Sequence, residues 1–400
     1  VSDCRQKGER NEMVDCSKEK YNSKNNIVKR ILLFSIAMVA YLFMYIIIYK
    51  AEDSFYGGYI GGVSLWDTIK KNIIYVFIGI ALYILPYERI RNSCSDVVHV
   101  SAKLLGADKR SGTIQLAWVG TLILYAIFAF MVAGVDIKNN YNGPGVNSFW
   151  GLGAGTDRTA ALVAIVIALT VTFALYGYIQ SKWQSLFFVF GMMTECIGFI
   201  SAVCGNSAPD PIPMDTGCDT LIFATIVTFF VLWLMYAIKV KRANAATFGI
   251  ALVYSLGLIA SQIYEFGILD PGKCVSGAAL INEMDKTGNI PDGLFGYGNV
   301  FTVIGHEFGL ADIAAFAAAL LVMAGIAIYG VHILTKKSMA RAMFVLGIFL
   351  IFAFTVCLTA LGEAGIIAHA SVRIFMNNVW IPCMILSLRM FSFRKIEKIK

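Results

Sequence analysis

The 400-residue chain is 58% hydrophobic and 15% charged, whereas soluble domains run at about 45–50% apolar and 25% charged. A soluble fold cannot hide that surplus, so it must face lipid, which excludes a cytosolic enzyme, a disordered regulator and a secreted disulfide scaffold. The net charge of +7 invites an anionic partner, but sorting the charges by membrane side accounts for it without nucleic acid.

Residues 1–30 form a polar tail, too long and too mixed in charge for a cleaved signal peptide, so the first apolar span is expected to stay in the protein. A bilayer core of about 30 Å asks for roughly 20 apolar residues per helix. Ten segments qualify in chain order: 31–49, 72–87, 114–134, 159–179, 185–203, 220–238, 246–265, 311–334, 342–361 and 366–388. The second is short, and 300–310 reads either way. A basic tail closes the chain at 389–400. The expected fold is an all-α, polytopic membrane protein with a single membrane domain over 31–388.

Placing the N-terminus in the cytoplasm puts 25 of the 33 Lys and Arg residues on the inner side, with 9 of the 26 acids. The inner face then carries +16 and the rest −9. Every even-numbered connection holds a cation, so ten spans with both termini inside are consistent with the positive-inside rule.

Three outer connections are longer than a turn requires: 135–158, 204–219 and 266–310. Long loops on a rigid scaffold are where function collects, although turn-rich connectors look alike. The first holds Trp150 and ends at Arg158. The second is flanked by Cys204 and Cys218, which in an oxidising exterior either pair or stay reduced. The nine cysteines show no CxxC pair and no Cys/His ligand spacing, so no metal site follows from them. The third loop runs from GILDP, with Asp270, to GNVFTVIGHEFGLAD, which places His306 and Glu307 between Gly305 and Gly309 at the mouth of a helix. Both side chains suit acid–base work there, and Glu307 would equally serve by accepting hydrogen bonds from a helix start. Glu195, in the middle of the fifth span, is an ionisable residue at bilayer depth. It is read either as a functional group or as a protonated packing residue.

Several stretches are similar to the RodA/FtsW/SpoVE family of bacterial cell-wall polymerases (shape, elongation, division and sporulation). DTIKKNIIYVFIGIALYILPYERI (67–90) resembles its second span, and FGILDP (266–271) the FLDP that opens its large loop. GAALINEM (277–284) falls at its short amphipathic segment, and NVFTVIGHEFGL (299–310) is similar to its DFIFAVIGEELGL. Trp150 falls where the family has an Arg-Trp pair. The resemblance covers nearly the whole chain after residue 30 and implies glycosyl transfer at the outer face of a bacterial plasma membrane. The substrate it implies is a disaccharide-peptide on undecaprenyl diphosphate, and the partner a class B penicillin-binding transpeptidase. No cofactor is implied, and a divalent cation is left open. On that reading Asp292 is the candidate base and Glu307 its runner-up or orienting partner. Arg158 and Arg373 would steady the diphosphate, with Trp150, Asp270 and His306 beside the substrate.

The chain departs from the family at its reactive positions. An ungapped match puts Gly298 and Asn299 where the family has its essential aspartate, and His306 at the first glutamate of the pair. Phe149 replaces the arginine beside Trp150, and SVRIFMNNVW (371–380) stands in place of Pro-Phe-Ile-Ser-Tyr-Gly-Gly. Two other classes therefore remain: a transporter or flippase of a lipid-linked precursor, which Glu195 would suit, and a non-catalytic accessory that keeps the fold.

Overall fold

The computed structural model describes residues 32–51, 53–55, 65–84, 109–139, 156–205, 218–239, 241–266, 269, 274–288, 299–335, 338–368 and 378–392. Every regular element among them is helical. In chain order the helices are α1 (Leu32–Phe55), α2 (Leu65–Ile84), α3 (Lys109–Asn139), α4 (Thr156–Leu175), α5 (Lys182–Gly205), α6 (Cys218–Lys239), α7 (Ala245–Phe266), α8 (Gly277–Thr287), α9 (Val300–Phe308), α10 (Leu310–Thr335), α11 (Met339–Glu363) and α12 (Trp380–Ser392). One 3₁₀ turn, Tyr176–Tyr178, joins α4 to α5.

Six of these, α1, α5, α6, α7, α10 and α11, are long and apolar enough to cross a membrane. Shorter apolar helices, Asn72–Ile84, Gly112–Ile127, Thr159–Phe173 and Trp380–Arg389, overlap the other four expected segments but fall short of that length. The chain is thus built as a multi-pass helical membrane protein. The expected boundaries shift in places. Helix α3 continues through Asn139 and α4 begins at Thr156, so the loop expected over 135–158 is helical at both ends. Residues 364–368 form a turn and bend, and α12 starts only at Trp380, so the tenth segment is not one helix from 366. Pro382 sits in the first turn of α12, where its missing N–H has no helical acceptor to lose. The tails 1–30 and 393–400 lie outside the described residues.

Lipid gives helices no hydrophobic reason to associate, so close packing has to hold them. The core is α4, α5, α6 and α11: 61% of the apolar window is buried in α5 and α6, against 17% in α10. Its centre holds fully buried Trp233, Phe173, Phe188 and Phe229. At Gly347 of α11 a Cβ would lie 3.0 Å from both Leu169 and Leu232, so α11 meets α4 and α6 at a distance only glycine allows without repacking. Helices α1, α7 and α10 leave long apolar faces exposed, including Val39, Val253 and Leu321, as lipid-facing helices must.

Three helix starts are capped locally. Ser181 Oγ accepts from the Gln184 amide at 3.0 Å while Gln184 Oε1 accepts from the Gln180 amide at 2.8 Å, a box that starts α5. Asn244 and Thr247 exchange bonds of 2.9 and 3.0 Å to start α7. Ser276 caps α8 through the Ala279 amide at 3.3 Å.

Candidate functional site

The segment expected to lead straight from His306 into a span is instead two helices. Nine residues form α9, which stops at Gly309 (φ +83°), and α10 begins at once with Leu310. A backbone angle of that sign is rarely adopted by residues with a Cβ, so Gly309 lets the chain change direction without strain. His306 and Glu307 therefore lie in the last turn of a short helix, not at the mouth of the span.

Three elements meet there. Ser54, near the end of α1, donates its hydroxyl to Glu307 Oε2. His306 Nδ1 lies 3.0 Å from Glu307 Oε1. The Phe55 ring stands edge-on to the His306 imidazole, with centroids 5.5 Å apart and planes at 88°. Both carboxylate oxygens are thus engaged, one by a hydroxyl and one by an imidazole. A carboxylate at Nδ1 favours the tautomer with its proton on that nitrogen, which leaves Nε2 as the basic atom. Nε2 has no hydrogen-bond partner among the described residues. The cluster is reachable: the His306 side chain is 35% exposed and that of Glu307 18%.

Glu307 does not cap a helix start. The carboxylate that does belongs to Glu363, the last residue of α11. Its Oε2 accepts from the Thr302 amide at 2.7 Å and from Thr302 Oγ1 at 3.0 Å, and the amides of Val300 and Phe301 contribute to its surroundings. Glu363 is 6% exposed, and Asn299, the N-cap position of α9, is 1% exposed. The alignment that puts Asn299 beside the family's aspartate therefore lands on a buried helix start. Sequence reasoning passed over Glu363, Thr302 and Ser54. Its one available signal was an acid at the end of the ninth span, followed by Ala364-Gly365 where a helix would stop.

Asp270, Asp292, Trp150 and Arg373 lie outside the described residues. Arg158 falls in the first turn of α4, with its side chain likewise outside them. Cys204 lies at the end of α5 and Cys218 opens α6. Glu195 is in mid-helix on α5, half-buried, with Oε2 buried and unbonded. Its neighbour Thr194 shares a hydrogen bond of 2.7 Å with Tyr254 of α7. Among the described residues no group of three or more His, Cys, Asp and Glu side chains is placed to hold a metal ion.

No family model matches the chain, and neither the curated proteins nor the solved structures contain a match.

Proposed function

We propose that the chain is a membrane-embedded glycosyltransferase that polymerises a lipid-linked disaccharide-peptide at the outer face of a bacterial plasma membrane. The observation that carries this reading is the bonded Ser54–Glu307–His306 cluster. It sits on the segment that resembles the cell-wall polymerases and at the end of the bundle where charge sorting puts the exterior. In the reaction a hydroxyl of the acceptor sugar attacks the anomeric carbon of the growing chain. A new C–O bond forms there, the bond to the diphosphate breaks, and the diphosphate leaves with its electron pair. The proton of the attacking hydroxyl needs an acceptor, and cations must balance the departing charge. His306 Nε2, oriented by Glu307, is the acceptor this geometry supports, with Asp292 the alternative base. Arg158 and Arg373 remain the proposed cations, Trp150 and Asp270 proposed substrate contacts, and a class B penicillin-binding transpeptidase the proposed partner.

The test is incubation of the purified protein, with and without such a transpeptidase, with labelled lipid-linked disaccharide-peptide. Glycan ladders on a gel that vanish in His306→Ala and Glu307→Ala are the expected result. Full polymerisation by both variants would remove the mechanism.

A second reading rests on Glu195, whose buried, unbonded carboxylate oxygen suits translocation of a lipid-linked precursor or a coupled proton. Loss of precursor flipping in Glu195→Gln, with the His306 and Glu307 variants unaffected, is what that reading expects. A non-catalytic accessory would bind the transpeptidase and polymerise nothing.

A further inference from the structure

Helix α9 is too short to stand by itself, since isolated helices of fewer than about twelve residues are marginal in water. It also starts without a side-chain cap of its own. Helices α5, α7 and α8 each start on a side chain from their own sequence, whereas Asn299 makes no side-chain capping bond at the start of α9. The cap comes instead from Glu363, 61 residues away on α11. A carboxylate at a helix N-terminus interacts favourably with the aligned peptide dipoles and with amides that have no acceptor of their own. Burying that carboxylate would be unfavourable without such partners.

The same point fastens a second helix. Gly277, the first residue of α8, lies so close to the Thr302 side chain that no Cβ fits between them. Gly365, two residues beyond Glu363, packs on Ser276, where a Cβ would meet the Ser276 amide nitrogen at 3.0 Å. Three segments distant in sequence, 276–277, 299–302 and 363–365, thus form one joint. Thr302 and His306 are four residues apart on α9, on one face and about 6 Å along the axis. A tilt at Thr302 is therefore transmitted to the imidazole.

We propose that Glu363 is a positioning residue: it sets the start of α9 and so holds His306 and Glu307 against Ser54. The catalytic consequence rests on the function proposed above, whereas the geometric one does not. The two are therefore read separately.

The geometric arm uses the full-length Ser54→Cys/Glu307→Cys double variant in detergent, linked by a short bis-methanethiosulfonate reagent and identified by peptide mass, which distinguishes the link from those of the natural cysteines. Adding Glu363→Leu is expected to slow the link at least tenfold, and Glu363→Gln, whose amide oxygen still accepts both Thr302 bonds, to leave it within about twofold. An unchanged rate in monodisperse Glu363→Leu overturns the proposal. Should that variant not fold, Glu363→Asp replaces it, shortening the reach by one methylene. A link slowed about threefold supports the role, and the parent rate overturns it.

The catalytic arm measures polymerisation of labelled lipid-linked precursor with Ser54 and Glu307 intact. Glu363→Leu is expected to lower kcat at least about thirtyfold with KM within about threefold, and Glu363→Gln to restore most of it. Equal losses in the Leu and Gln variants would overturn positioning. Slowed linking combined with a parent that does not polymerise would leave the geometric role standing and remove the proposed function.

Discussion

At one end of the bundle, Ser185 Oγ meets the Tyr176 hydroxyl at 2.5 Å and accepts from Trp233 Nε1 at 3.1 Å, with all three side chains buried. Arg242 closes that end by donating to the Ile179 carbonyl, and the Tyr176 and Tyr236 rings pack 3.8 Å apart. At the other end, Glu307 is bonded to both His306 and Ser54, and the pair stays partly exposed on a nine-residue helix broken by glycine. The first end seals its polar groups, whereas the second leaves His306 Nε2 open and the buried Oε1 of Glu363 without a partner among the described residues. They differ in what holds those groups: long core helices with the 3₁₀ turn between α4 and α5 in the first case, a short helix capped from a distance in the second. A sealed network stabilises a fold, whereas an accessible one on a clamped support is what a reacting group requires.

That contrast is open to direct attack. The largest effect is expected for His306→Ala and Glu307→Ala, each lowering glycan polymerisation by about 10²–10³-fold while the thermal midpoint moves little. Ser185→Ala should do the reverse. It strands the Tyr176 hydroxyl and the Trp233 N–H in the core, at a cost of roughly 2 kcal/mol or more in a thermal or denaturant melt, with activity per folded molecule unchanged. Gly309→Ala forces a Cβ into a conformation reserved for glycine, at about 1–3 kcal/mol; slower polymerisation together with a lower melting temperature would place the α9–α10 break in the working site. Ser54→Ala removes one of the bonds to Glu307 and is expected to cost only a few-fold in rate, measured in the same polymerisation assay. A Ser185→Ala protein that is normally stable but inactive would reverse the comparison.

Composition and hydropathy made the helical membrane architecture legible, because lipid imposes long apolar runs that a window of about 20 residues detects. Boundaries were less legible. Helix α3 runs into polar residues through Asp136, Lys138 and Asn139, where hydropathy has already fallen but backbone bonding continues. Residues 366–368 are apolar enough to pass as span yet bend just after Gly365. His306 and Glu307 stood out because two ionisable side chains between glycines are rare in so apolar a chain. Their partners did not stand out, because Ser54 meets Glu307 across 253 residues and Glu363 meets Thr302 across 61, and no periodicity records such pairings. The alternative in which Glu307 caps a helix start has the right chemistry and the wrong carboxylate. The acid that caps sits at the end of α11, where local sequence reads only as the close of a span.

The central claim is that the exposed His306–Glu307 pair, and not the sealed end of the bundle, carries the chemistry. The most direct test is single-turnover polymerisation of labelled lipid-linked disaccharide-peptide by the parent, His306→Ala and Ser185→Ala proteins, each normalised to folded protein. The account predicts glycan from the parent and from Ser185→Ala at equal rates, with His306→Ala at least about a hundredfold slower. Equal rates for His306→Ala and the parent would contradict it.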